Sequence, residues 1–131
     1  MESDFDRKVA LLLAREPHFP ADAYYFISEA VAFTVARLEK HRHVSAAELL
    51  DGIRIFAEEK FGAVAQSVLS SWGMHLEDDA GKVVYLLISV GLLRASEDDS
   101  PEEFQTGKNL FPAIPVIRSV RRKSDILPFI N

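Results

Sequence analysis

From Pro20 to His41 the chain is apolar almost all the way round a helix. Ala23, Tyr24, Tyr25, Phe26, Ile27, Ala30, Val31, Ala32, Phe33, Val35, Ala36 and Leu38 leave no broad face for water. A helix of this kind belongs in the middle of a core, with neighbours on several sides. Asp22, Glu29, Ala36 and Lys40 fall along one narrow strip, which suits a solvent-facing edge or a salt partner. Arg37, Lys40, His41, Arg42 and His43 gather at its end, where cations meet the negative pole of the helix dipole. At 131 residues the chain has the size of one domain built round one core, without cysteines to staple it.

The remaining helices are marked by their ends. Phe5, Val9, Leu12 and Leu13 repeat at helical spacing and stop at Glu16-Pro17, because proline disfavours a helical residue before it. Ser45-Ala-Ala-Glu48 is a capping box ahead of Leu49, Ile53, Phe56 and Ala57, predicting a third helix to Phe61. A fourth is expected over Ala63–Trp72, and a fifth from Glu77-Asp-Asp79 to Gly91. Gly62, Gly73 and Gly91 each fall just past an apolar-periodic segment, as C-terminal stops do. Gly52 and Gly81 lie inside or near the start of helices, where glycine costs stability; close helix packing is the reason expected for both. Ser100-Pro101-Glu-Glu103 predicts a short helix around Pro101–Thr106.

The composition changes after residue 108. Prolines at 112 and 115 exclude a helix over Phe111–Ile117 and favour an extended, polyproline-like path. Residues 1–107 hold 10 Lys+Arg against 19 Asp+Glu, a net charge of -9, whereas residues 108–131 hold 5 against 1, a net charge of +4. An acidic body repels phosphate backbones and anionic membranes, which disfavours nucleic acid as a partner. The tail pairs an apolar strip (Phe111, Ile114, Val116, Ile117) with a basic cluster (Arg118, Arg121, Arg122, Lys123). These eight residues are the candidate partner-binding set. Such a strap suits docking on another protein, on the chain's own acidic body or on a second subunit.

No motif for chemistry stands up to its simpler explanation. His41-Arg42-His43 places two imidazoles on different sides of a helix without a third ligand, so no metal is expected. His75-Leu-Glu77 is half of a zinc-deaminase signature whose other half needs cysteines. The acidic clusters at 77–79, 97–99 and 102–103 lack a calcium-loop pattern and serve capping and solubility. The glycines form neither a dinucleotide fingerprint nor a phosphate loop, and no cofactor is expected. Glu29, inside the most apolar helix, is the single residue worth testing as an acid or base. Residues 1–8 lack a secretory pattern, and the longest uncharged apolar run, Val83–Leu93, is too short to span a bilayer; a cytoplasmic protein is expected.

Lys82-Val-Val-Tyr-Leu-Leu-Ile-Ser-Val-Gly-Leu-Leu-Arg94 with the polar loop after it is similar to the recognition helix and wing of winged-helix proteins. That arrangement is open for Ser45–Phe104, with Lys82 and Arg94 as the DNA-facing cations. Its outer face, however, offers only Lys82, Tyr85 and Ser89 behind three acids.

The run His43-Val-Ser-Ala-Ala-Glu-Leu-Leu-Asp-Gly-Ile-Arg54, with Phe61-Gly62, Val68-Leu69, Trp72-Gly73, Gly81 and Gly91-Leu92, resembles a family of hypothetical proteins from planctomycetes and verrucomicrobia over about residues 5–106. The resemblance implies no activity and carries over no site residue.

The expectation is a mainly α protein. Residues 1–108 form a single domain of five main helices, winged-helix-like in its C-terminal half as one option, and residues 109–131 an extended Pro-containing tail. Its expected function is protein interaction or self-association through that tail. DNA regulation is the alternative, and an enzyme or small-molecule site at Glu29 the third.

Overall fold

The computed structural model describes residues 3–38, 44–95 and 100–112. It is mainly helical: α1 (Asp4–Arg15), α2 (Ala21–Ala36), α3 (Ala46–Phe61), α4 (Ala65–Ser71) and α5 (Glu77–Ser89), with 3₁₀ turns at Gly62–Val64 and Pro101–Phe104. α2 packs against α1, α3 and α5. Ala23, Tyr24, Phe26, Ile27, Ala30 and Thr34 are its buried residues. The apolar circumference of α2 therefore does what it suggested in sequence: it gives one helix several packing partners.

Local chemistry sets the helix ends. Ser3 and Asp6 form a reciprocal capping box at the start of α1, and Glu16 ends it ahead of Pro17. At α3 the Ser45 hydroxyl accepts from the Glu48 amide (3.1 Å), and the Glu48 carboxylate accepts from the Ser45 amide (3.0 Å). α4 and α5 both close in Schellman motifs, one at Gly73 (φ 89°) and one at Gly91 (φ 80°). In the first, Met74 N–H donates to Leu69 C=O and Gly73 N–H to Ser70 C=O; in the second, Leu92 donates to Leu87 and Gly91 to Ile88. Gly62 is less of a stop, since the chain turns once more through Gly62–Val64 into α4.

Two expectations need correcting. α2 ends at Ala36 rather than near His41: Arg37 and Leu38 donate to Thr34 and Val35, three residues back, which tightens the last turn out of α-helical register. Residues 39–43, with both histidines of the pair, lie outside the described residues. The segment behind α5 also does not form a wing where it is described. Among the described residues there is no strand, and the one β-bridge joins Leu76 to Asn109. Pro101–Phe104 is a 3₁₀ turn rather than a helix to Thr106, because Phe104 is drawn down onto α5. Residues 96–99 lie outside the described set.

Both internal glycines meet the packing reason expected of them. A Cβ on Gly81 would stand 2.3 Å from the Cβ of Phe104, so the 3₁₀ turn lies directly on the α5 backbone. Gly52 is held closer still to α2. An aromatic cluster fills the other end of the core. The Phe26 ring lies 5.3 Å from Phe56, 5.9 Å from Phe61 and 5.7 Å from Trp72, separations at which aromatic pairs attract.

Candidate functional site

The chain beyond the 3₁₀ turn comes back to the first turn of α5 and is bonded there. Glu77 N–H donates to Lys108 C=O, and Leu110 N–H donates to His75 C=O, both at 2.9 Å. Side chains reinforce the backbone. Arg54 of α3 reaches across to the Glu77 carboxylate (2.5 Å) and donates through Nε to Leu110 C=O (2.5 Å). Thr106 Oγ1 donates to the other Glu77 oxygen (2.6 Å), and Gly107 N–H donates to Asp78 (2.9 Å). Arg54 and Glu77 are 22% and 11% exposed, so water screens the pair weakly. Leu110 is wholly buried beside it.

This clasp fixes the root of the tail. The first residues assigned to the tail, Asn109 and Leu110, thus pack on the body. Of the eight candidate partner-binding residues, Phe111 is half-buried against the core. Ile114, Val116, Ile117, Arg118, Arg121, Arg122 and Lys123 lie outside the described residues.

A cleft of about 720 Å³ adjoins the clasp. The α1–α2 connection contributes Glu16, His18 and Phe19; Leu76 and α5 contribute Asp78, Asp79, Lys82, Tyr85 and Leu86; the 3₁₀ turn contributes Phe104 and Gln105. Two edge-to-face ring pairs lie in its walls, His18–Phe19 at 4.7 Å and Tyr85–Phe104 at 6.1 Å between centroids. Its carboxylates outnumber its cations. Asp79 accepts from the backbone N–H groups of His75 and Leu76 (both 2.9 Å), which caps α5. A smaller groove of about 360 Å³ lies on the far side of Tyr85 and Phe104, lined mostly by apolar side chains of α2, α3 and α5.

The residues singled out for chemistry do not converge. Glu29 is exposed and paired with Lys60 at 3.2 Å, on a surface formed by α2 and α3, and lines neither cleft. That removes the ground on which it was a candidate acid or base, since burial was the premise. Lys82 lines the larger cleft and Arg94 the smaller, so the two DNA-facing candidates do not share one recess. His75 and Glu77 also part company, with Glu77 turned to Arg54 and the His75 ring 2.9 Å from Ser70 Oγ. A serine beside an imidazole is half of a nucleophile pair. Here it is an exposed surface contact, and Asp79 bonds the His75 backbone rather than its ring. Among the described residues no group of three His, Asp or Glu side chains is placed to hold a metal, and no helix is long and apolar enough to cross a membrane.

Sequence alone gave Glu77 to helix capping and did not single out Arg54. The available signal was Arg54 on the same helical stripe as Leu50 and Ala57, a charge among core positions that needs a buried partner.

Comparison with protein-family models, curated proteins and solved structures finds no match to this chain.

Proposed function

We propose that this protein is a non-enzymatic interaction module that works through residues 109–131. The observation that supports the reading is the clasp at the tail's root. Arg54, Glu77 and Thr106 hold residues 106–110 against the start of α5, so the root of the segment is fixed on the body. A fixed root lowers the entropy lost when the segment after it docks. The segment's own composition asks for a surface: Ile114, Val116 and Ile117 need cover, and Arg118, Arg121, Arg122 and Lys123 need counter-charge. A winged-helix-like role for Ser45–Phe104 has weaker support, because Lys82 and Arg94 line different clefts and three acids open α5.

The test compares full-length wild type with full-length Ile114→Asp/Ile117→Asp and Arg121→Glu/Arg122→Glu. Mass in solution is read by light scattering and partner recovery by nuclease-treated pull-down. The expected result is a change in mass, or loss of a recovered protein, in both variants. Unchanged mass together with unchanged recovery would overturn the reading, and recovery abolished by nuclease in the wild type would move it to nucleic acid.

A further inference from the structure

The larger cleft is lined by rings that are held firmly. Phe19 of the α1–α2 connection and Phe104 of the 3₁₀ turn are 2% and 5% exposed, fixed by the core they belong to. His18 stands edge-on to Phe19, and Tyr85 edge-on to Phe104. Leu76, Leu86 and Pro101 add apolar surface to the lining. At about 720 Å³ the recess is the size of a small-molecule site, for which roughly 300–1,000 Å³ is usual.

Its charge is one-sided. Glu16, Asp78 and Asp79 bring three carboxylates against the single ammonium of Lys82. The N-terminus of α5 returns only about half a positive charge. The three acids differ in what already holds them. Asp79 Oδ2 caps α5 through the His75 and Leu76 amides, and Asp78 Oδ1 accepts from the Gly107 amide. The Glu16 carboxylate has no hydrogen bond or ion pair among the described residues. Its charge is felt inside the core: after burial itself, Glu16 is what raises the pKa of the Tyr24 phenol.

We infer that the cleft binds a free small organic cation, an ammonium carried on an aromatic body. The ammonium meets the Glu16 carboxylate, Asp78 and Asp79 add to the field, and the body lies against Phe19, Tyr85 and Phe104. Rings and acids select this ligand for separate reasons. Aromatic faces attract a cation, and the apolar body leaves water. An anion of the same shape meets like charge instead. Every residue of this site precedes residue 106, so it goes beyond the interaction role and does not depend on it.

The test titrates the full-length protein and follows backbone amide chemical shifts. Three ligands share an indole ring and differ in charge: tryptamine (cation), tryptophol (neutral) and indole-3-acetate (anion). Tryptamine should shift the Glu16, His18, Lys82 and Tyr85 amides saturably and bind at least about tenfold tighter than tryptophol, with indole-3-acetate weakest. Pentylammonium, a cation without a ring that mimics a lysine side chain, should bind less tightly than tryptamine. Glu16→Gln should weaken tryptamine by about threefold or more and leave tryptophol unchanged, whereas Lys82→Gln should strengthen tryptamine. Glu59→Gln, on α3 outside the cleft, should move neither. All three positions are exposed, and each variant is first required to keep the wild-type circular dichroism spectrum and melting temperature. Parity of tryptophol with tryptamine would overturn recognition of charge, and parity of pentylammonium would overturn the role of the rings in favour of a peptide side chain. Shifts that map away from the cleft, or no saturation at millimolar tryptamine, would overturn the site itself. Ile114→Asp/Ile117→Asp should bind tryptamine as wild type does, so the site and the interaction module fail separately.

Discussion

Gly52 of α3 lies so close to Thr34 of α2 that a Cβ on the glycine would stand 1.8 Å from the threonine Oγ1. The Thr34 hydroxyl is committed to Ala30 C=O (2.7 Å), and the side chain is buried, so it has little freedom to move aside. The most extensive helix–helix contact of the body, α2 on α3, is therefore set by the absence of a side chain.

Gly52→Ala is expected to destabilise the fold by about 1–3 kcal/mol through overpacking. On an unpacked helix surface the same change would stabilise by roughly 0.5–1 kcal/mol. The sign is therefore diagnostic. Urea midpoints of Gly52→Ala, Thr34→Ala and the double variant should show the two substitutions costing less together than apart. A raised midpoint for Gly52→Ala alone would contradict the close approach.

Glu77→Gln removes the charge that answers Arg54 in a weakly screened setting, and should cost about 2–4 kcal/mol. The loss should be local as well as global. Hydrogen exchange at the Leu110 and Glu77 amides, whose bonds tie the returning chain to α5, should accelerate more than exchange in α1. Uniform acceleration would mean that the clasp does not hold the tail's root.

Asp6 accepts a hydrogen bond from the Tyr25 hydroxyl and further bonds from Ser3, which lower its pKa from the ordinary 3.8. A carboxylate with a depressed folded pKa adds stability above its unfolded pKa, and that contribution is lost as pH falls through the folded one. Wild type should thus exceed Asp6→Asn in melting temperature near neutrality, and the gap should close below pH 3.8. A gap that is constant across the acid range would point to packing instead.

Tyr24 is fully buried and its hydroxyl has no hydrogen-bond partner; burial, and then the charge of Glu16, push its phenol above 10. An unsatisfied buried donor costs stability, so Tyr24→Phe should raise it by about 1 kcal/mol, read as a higher urea midpoint with an unchanged slope. A drop of similar size would show that the hydroxyl is paired in solution, with water or with Glu16.

Where a signal acts over three or four residues, sequence was sufficient to find it. The Ser45–Glu48 box and the Schellman glycines at 73 and 91 are local hydrogen-bond geometry, and they recur in the fold as expected. The end of α2 was harder to place. Its cationic tail suits a longer helix as well as a shorter one, whereas backbone bonding at Arg37 and Leu38 chose the shorter. The candidate site was mostly out of reach. Glu77 is a plausible cap in sequence, and only folding brings it to Arg54, 23 residues earlier, and Thr106, 29 residues later.

The chain by itself determined the helical character, the need for α2 to lie among several neighbours, the glycine and capping punctuation, and the opposed charges of body and tail. Those follow from periodicity, local hydrogen bonding and composition. Tertiary structure alone decided which residue Gly52 and Gly81 make room for, which acid answers Arg54, and that the α1–α2 connection stands across from α5 to make an aromatic cleft. Contacts between residues far apart in the chain depend on how packed helices cross, and no local pattern encodes that.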